Sequence, residues 1–272
     1  MTAPQIAATG RAVPSQVVRA RDVLAFEWSK LRSARSNYWT LLTAAVVTLG
    51  ATAIGAQAIA SAPAPPPGGP LNALTVSFLS YGEYTVLPVT VLSVLTFTSE
   101  YASGLIRTTF TAVPQRWAVL AAKAAVAGVA ALVAGELLAF ACFFFTQAVL
   151  SRHHRGLALS HPGALWAVLA AGFVLAACAV AGVGIGAVIR HTAGGIAAAV
   201  TVIYLLAVLC LVLPSPWNVR LGRFTLPFAA YQLVTVHPQP GLLSRGLSML
   251  VLIGWPAAAL LAAALVITRR DA

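Results

Sequence analysis

Six apolar runs constrain this chain more than any other feature of its sequence. Each run reaches the roughly 20 residues that a helix needs to cross the hydrocarbon core of a bilayer. The runs cover approximately residues 38–60, 74–98, 117–150, 164–189, 192–213 and 246–268. Of the 272 residues, 60% are hydrophobic and only 8% are charged, which suits lipid rather than water as the solvent. The sequence therefore predicts an all-α integral membrane protein with six transmembrane helices.

The basic residues predict which side each loop occupies. Six spans place both termini on one side, and the basic residues near the span ends divide unequally between the two sides. The larger set comprises Arg19, Arg21, Lys30, Arg32, Arg35, Arg107, Arg116, Lys123, Arg190, Arg269 and Arg270, and the smaller set Arg152, Arg155, Arg220, Arg223 and Arg245. Because cytoplasmic loops carry the excess of Lys and Arg, we expect both termini in the cytoplasm of a multi-pass plasma-membrane protein.

This topology divides the chain into three parts. We expect a cytoplasmic N-terminus at 1–37, a six-span transmembrane domain at 38–268 and a cytoplasmic tail at 269–272. The net charge of +11 lies beside the ends of the spans and forms no basic face, so it indicates orientation and not nucleic-acid binding.

The segment between the second and third runs, EYASGLIRTTFTAVPQRWAVLAAK (100–123), predicts an amphipathic helix over 100–113. One side of that helix carries Ala102, Ile106, Phe110 and Val113, and the other carries Glu100, Ser103, Arg107 and Thr111. Pro114 would end it. A helix held at the membrane surface by two spans can receive force from a soluble partner. Glu100 and Arg107 would then be its charged handles, or else a solvated face with weak local pairing.

The N-terminal segment 17–33 predicts a second amphipathic helix, lying in the membrane interface. Its apolar stripe consists of Val17, Leu24, Trp28 and Leu31, with Arg19, Asp22 and Lys30 roughly opposite. Phe26 falls among the charges, which indicates either an imperfect helix end or a contact with a cytoplasmic partner.

Three ionisable side chains lie in or near the predicted lipid region. Glu136, in the middle of the third run, is costly at the bilayer centre unless it is paired, protonated or facing water, and Glu83 lies nearer the outer boundary. These carboxylates could make structural hydrogen bonds or line a translocation path. The third run exceeds the lipid thickness, so its first turns, through Lys123, are expected at the interface with the lysine snorkelling.

No constellation for catalysis or nucleotide binding occurs in the sequence. A P-loop requires a Gly-Lys pair, but the two lysines, Lys30 and Lys123, follow Ser29 and Ala122. The chain is therefore not expected to be an enzyme or to bind ATP. We assign no metal site and interpret His153, His154 and His161 as solvated loop residues and Cys142, Cys178 and Cys210 as small buried hydrophobes. Glycines 182, 184, 186, 194 and 195 are expected to let helices approach closely.

Three segments resemble a known family, the actinobacterial permeases of type-2 ATP-binding-cassette (ABC) exporters. FEWSKLRSARSNYWTLL (26–42) is similar to their N-terminal helix and first span. The 100–123 segment is similar to their connection between spans two and three. LPFAA (226–230) resembles a motif before their last span, with Ala230 where the family often has glycine.

The resemblance, which covers about residues 17–270, implies a six-span permease that forms a homodimer or pairs with a related permease. It implies two cytoplasmic P-loop ATPase subunits, which would hold the ATP and Mg²⁺. The N-terminal segment would be an elbow helix with Phe26, Glu27, Trp28, Lys30 and Arg32. The second segment would be a coupling helix that docks on the ATPase, with Glu100, Ile106, Arg107, Thr108, Thr109, Phe110, Pro114 and Arg116.

Three functions follow in order of preference. The first is export of a hydrophobic or amphipathic substrate by such a permease. The second is a membrane scaffold or signalling partner that retains the permease shape. The third is an ion- or proton-driven secondary transporter, a class that favours broken helices and several intramembrane ionisable groups.

Overall fold

The computed structural model describes residues 19–62, 73–113, 115–235 and 241–269. Every regular element in these ranges is a helix. Six helical segments are long and apolar enough to cross a membrane: Arg35–Ser61, Tyr81–Ala102, Arg116–Ser151, Ala164–Ile189, Thr192–Val212 and Arg245–Arg269. The prediction of an all-helical chain with six candidate spans is confirmed. Val17 and Pro114 lie outside the described residues.

The chain begins with a short helix followed at once by the first span. Helix α1 covers Ala20–Ser33 and helix α2 covers Arg35–Ser61, with the extended residue Ala34 between them. The Asn37 side chain donates a hydrogen bond to the Leu31 carbonyl at 3.2 Å, which fixes the corner. Helix α1 packs mainly against the start of the third span.

The second span has a one-residue break at Thr85, where the backbone keeps right-handed helical dihedral angles (φ −102°, ψ −41°), although the sequence predicts one regular helix. Helix α3 covers Ala73–Tyr84 and helix α4 covers Val86–Ala102. Pro88 explains the break, because a proline cannot donate to the carbonyl four residues earlier and its ring clashes with that group, here the carbonyl of Tyr84. The Thr85 hydroxyl at the break meets the Thr48 hydroxyl of α2 at 2.8 Å.

The segment 100–113 is shorter as a helix than the sequence predicts. Helix α4 continues through Glu100 and Tyr101 to Ala102, and a separate helix α5 covers Leu105–Ala112. Gly104 separates them with a left-handed backbone (φ 74°), a conformation that glycine adopts without penalty after a helix end. Glu100 therefore belongs to the second span and not to the surface helix.

The third and fourth spans form the centre of the bundle. Helix α6 is an unbroken helix of 36 residues, Arg116–Ser151, about 54 Å long. Helix α7, Ala164–Ile189, packs against α4, α6 and the last span, and it is the most buried of the six spans. Arg190 and His191 alone join it to the fifth span, as predicted.

The fifth span contains an irregular stretch in its middle. Helix α8 covers Thr192–Val200, a π-helical segment covers Thr201–Leu205, and helix α9 covers Leu206–Val212. Two short helices follow, α10 at Trp217–Gly222 and α11 at Leu226–Val234. Helix α11 buries Leu226 and Leu233 against the bundle, and helix α12, Arg245–Arg269, is the last span.

The glycines of α7 allow the close helix contacts that their positions predict. A methyl group added at Gly184 would lie 2.7 Å from the carbonyl carbon of Ala259 in α12. One added at Gly186 would lie 2.7 Å from the carbonyl oxygen of Val94 in α4. Both distances are too short for any side chain, so the prediction of a packing role is confirmed.

We expect Gly184→Ala to lower the midpoint of thermal unfolding in detergent. The added methyl group forces α7 away from α12, and overpacking of this kind costs about 1–3 kcal/mol. Gly254→Ala, in α12 with nothing within 4 Å, is the matched control and should equal or exceed the wild type, since alanine favours helix. Equal midpoints for the two variants would contradict a close α7–α12 contact.

Candidate functional site

Four charged side chains meet at the end of the bundle where α1, α4 and α6 converge. Lys123 of α6 contacts Glu27 of α1 at 2.8 Å and also pairs with Glu100 of α4. Lys30 of α1 pairs with the same oxygen of Glu100. We call Glu27, Lys30, Glu100 and Lys123 the charge network.

The charge network is buried and electrically balanced. Glu27, Glu100 and Lys123 are between 3% and 5% exposed, and only Lys30 reaches solvent substantially. Two carboxylates and two ammonium groups offset one another, which is the condition under which buried charges are tolerated. Lys30 and Lys123 are the only two lysines in the sequence.

Neighbouring groups complete the surroundings of the ammonium ions. Lys123 Nζ lies 3.4 Å from the carbonyl oxygen of Thr96 and 5.6 Å from the ring centre of Phe97. Lys30 Nζ lies 4.7 Å from the ring centre of Phe26, which is close enough for a cation–π interaction. The sequence left the role of Phe26 open, and the structure places this ring beside Lys30.

Each carboxylate of the charge network keeps one oxygen without a donor. Among the described residues, no hydrogen-bond donor reaches Glu27 Oε1 or Glu100 Oε2, and both atoms are buried. A buried carboxylate oxygen without a hydrogen-bond partner is costly, so these two oxygens lower the net stability that the charge network contributes.

The charge network corrects two predictions. Lys123 does not snorkel to an interface, because carboxylates from α1 and α4 neutralise it inside the bundle. Glu100 is not an exposed handle of a surface helix, because it is the partner of both lysines. A lysine seven residues inside an apolar helix was the signal that could have indicated a buried acid partner.

The other residues assigned to the surface helix divide between its two faces. Ile106 is buried in an apolar cluster with Phe97, Leu120 and Ile267. The helix α5 residues turned away from the bundle include Leu105, Arg107 and Thr108, all exposed. Phe110 and Thr109 are half-buried. Helix α5 therefore presents a short, mixed polar and apolar surface beside the charge network.

Two arginines attach this end of the bundle to the last span. Arg116 donates to the carbonyl of Ile267 at 3.1 Å, and its guanidinium lies 5.4 Å from the ring of Phe110. Arg190 donates to the carbonyl of Val266 at 3.2 Å. The final carbonyls of a helix lack partners within it and carry partial negative charge, so cations are favourable there. Sequence reasoning did not predict these contacts.

The N-terminal helix turns one face to the bundle and leaves part of its apolar stripe exposed. Val23 and Glu27 are buried, whereas Leu24 and Trp28 of the predicted stripe are exposed, Trp28 by 48%. Arg32 is also exposed. The ion pair of Glu27 with Lys123 is consistent with this orientation, in which the Trp28 side chain lies on the outer surface.

The two intramembrane carboxylates have different surroundings. Glu136 is half-buried, with its carboxyl group against Gly172 of α7, and its Oε2 has no donor among the described residues. Glu83 is exposed at the end of α3 and lines a cavity of about 460 Å³. The structure thus does not bring the two acids to one site.

The opposite end of the bundle has its own arginine contacts. Arg155 donates to the carbonyls of Ile59 and Ala62 at 2.9 and 2.8 Å, at the end of α2. Arg245 donates to the carbonyl of Thr235 at 3.0 Å. Arg116, Arg190 and Lys123, all of the larger set, thus make contacts at one end of the bundle. Arg155 and Arg245, of the smaller set, make theirs at the other end.

We expect Lys123→Met to destabilise the protein strongly. The change leaves Glu27 buried without a cation, and removing one member of a buried ion pair typically costs about 3–5 kcal/mol. The measurement is the midpoint of thermal unfolding in detergent. Arg107→Met, at an exposed cation on the same side, is the control and should change stability by less than about 0.5 kcal/mol.

A second substitution separates charge pairing from packing. Glu27→Gln in the Lys123→Met background removes the uncompensated charge and should restore part of the lost stability. If Lys123→Met unfolds like the wild type, or if Glu27→Gln adds a further loss, the charge network does not stabilise this end of the bundle.

Comparison with known protein families, curated proteins and solved structures gives no match to this chain.

Proposed function

We propose that this chain is the membrane-spanning permease subunit of an ATP-driven ABC exporter. In this proposal it moves a hydrophobic or amphipathic substrate out of the cell, using ATP that a separate cytoplasmic subunit hydrolyses. It works as a homodimer or with a related permease, embedded in the lipids of the plasma membrane, and both termini are cytoplasmic.

The observation that carries the proposal is the connection between helix α5 and the charge network. Helix α5 presents Leu105 and Arg107 outward and anchors Ile106 in the core. Only Ser103 and Gly104 separate it from α4, whose Glu100 binds both lysines. A soluble partner that pushed on α5 would therefore move α4 directly, and α1 and α6 through Glu100.

In this proposal the partner supplies the ATP, because the sequence contains no nucleotide site of its own. A phosphate-binding P-loop needs glycine amides and a following lysine, and no lysine follows a glycine here. A P-loop ATPase that docks on α5, with ATP and Mg²⁺ bound to it, would provide the driving force. The likeness of segments 26–42 and 100–123 to type-2 exporter permeases points to the same division of labour.

The distribution of basic residues supports placing α5 in the cytoplasm. Eleven of the basic residues near span ends belong to the predicted inner set and five to the outer set. Arg107, Arg116 and Lys123 all belong to the inner set. An ATPase in the cytoplasm could then reach the exposed surface of α5.

A secondary transporter driven by an ion gradient is the second candidate. Two spans depart locally from regular α-helix, at Thr85 and in the π-helical segment Thr201–Leu205, and irregular spans favour that class. Glu83 and Glu136 would be the candidate proton carriers. The two candidates differ in whether an ATPase binds the chain.

We expect a P-loop ATPase to copurify in stoichiometric amount when the tagged chain is extracted gently from its native membrane. Arg107→Glu should lower the recovered ATPase activity about tenfold, the effect of about 1.4 kcal/mol lost at the docking surface. Arg152→Glu, a reversal at an exposed arginine of the opposite end, is the control and should retain the ATPase.

The alternatives predict a different outcome of the same purification. A preparation without any ATPase, from membranes in which the chain is folded, would reject the exporter proposal in favour of a secondary transporter or a scaffold. Loss of the ATPase with Arg152→Glu as well as Arg107→Glu would show that α5 is not the docking surface.

A further inference from the structure

A cavity of about 460 Å³ lies within the bundle, away from the charge network. Its walls come from the end of α3, the middle of α7, the π-helical segment with α9, and α11. The volume lies within the range of about 300–1,000 Å³ that is usual for small-molecule sites. The cavity is therefore large enough for a compact organic ligand.

The cavity walls are mostly apolar and carry a single negative charge. Five aromatic rings contribute to the lining: Phe78, Tyr81, Tyr204, Phe228 and Tyr231. Most of the other lining residues are aliphatic, and Glu83 is the one charged residue among the described residues that line the cavity. No lysine, arginine or histidine is present among them to neutralise Glu83.

The backbone is irregular at the cavity. The break at Thr85 follows Glu83 closely, and the π-helical segment contributes Ile203 and Tyr204 to the lining. The Tyr204 hydroxyl donates to the Gly82 carbonyl at 3.2 Å, which joins the two irregular stretches. π-Helical segments occur frequently at functional sites.

We propose that this cavity binds a monovalent lipophilic cation, such as a quaternary phosphonium or ammonium ion with aromatic or alkyl substituents. Glu83 supplies the counter-charge, the aromatic rings accept the cation on their faces, and the aliphatic residues cover the substituents. This inference rests on the function proposed above: lipophilic cations of this kind are the class of substrate that the permease transports.

The single negative charge in the lining predicts that the cavity prefers cations to anions. The carboxylate of Glu83 is exposed, but it lies against the apolar walls of the cavity, where it attracts a cation and repels an anion. A cation and an anion of the same shape and apolar surface would therefore differ in affinity because of Glu83. Tetraphenylphosphonium and tetraphenylborate form such a pair of ions.

The test is a titration of the purified full chain, in a neutral detergent, with each of these two ions by calorimetry. Wild type should bind tetraphenylphosphonium at least about tenfold more tightly than tetraphenylborate, a difference of about 1.4 kcal/mol. Glu83→Gln should weaken phosphonium binding about tenfold and remove the preference. Asp22→Asn is the matched control, because Asp22 is an exposed acid of α1 that does not line the cavity, and it should leave the affinity unchanged.

A second pair of variants tests whether the cation binds in the cavity, without changing any charge. Ala207→Trp fills the cavity from α9 and should abolish phosphonium binding, whereas Leu209→Trp, at a 54% exposed position of the same helix, should not. Thermal unfolding confirms that each variant is folded. Equal affinity for both ions, or phosphonium binding that survives both Glu83→Gln and Ala207→Trp, overturns the proposal.

The titration is independent of any ATPase, so it separates this proposal from the exporter function. Charge-selective binding without a copurified ATPase would keep the cation site and reject the exporter. A copurified ATPase without such binding would keep the exporter and reject the cation site.

Discussion

The ammonium group of Lys123 lies inside a helical bundle, where an unpaired charge would cost several kcal/mol, a large fraction of the net stability of a folded domain. Its charge is compatible with that position because Glu27 and Glu100 reach it from two other helices. The ion pairs join α1, α4 and α6 at this end of the bundle. The surface helix α5 inherits its place from α4, two residues away.

A different physical principle organises the middle of the bundle. Helix α7 contacts four other spans, among them the second and the last, and carries glycines where its backbone approaches those two. Charge pairing thus holds one end, and close backbone packing holds the centre. The cavity beside Glu83 lies where the second and fifth spans depart from regular α-helix, and aromatic side chains contribute to its lining.

The sequence predicted the features that depend on local composition. Apolar run length located all six candidate spans, and the glycines of α7 indicated close packing. The sequence analysis missed positions at which a single residue interrupts a predicted helix. Pro88 breaks the second span, and Gly104 divides the amphipathic segment, although periodicity ran through both positions. Glu100 and Lys123 looked like surface charges because a partner distant in sequence is invisible to a helical pattern.

The order of the charge network along the chain bears on how the protein is made. A polypeptide is synthesised from its N-terminus, and both acids, Glu27 and Glu100, precede Lys123. When the third span leaves the ribosome, the two carboxylates that accept its ammonium group have therefore already been synthesised. The lysine does not have to enter the membrane ahead of its counter-ions, so biogenesis avoids the costliest intermediate that this arrangement of charges would otherwise create.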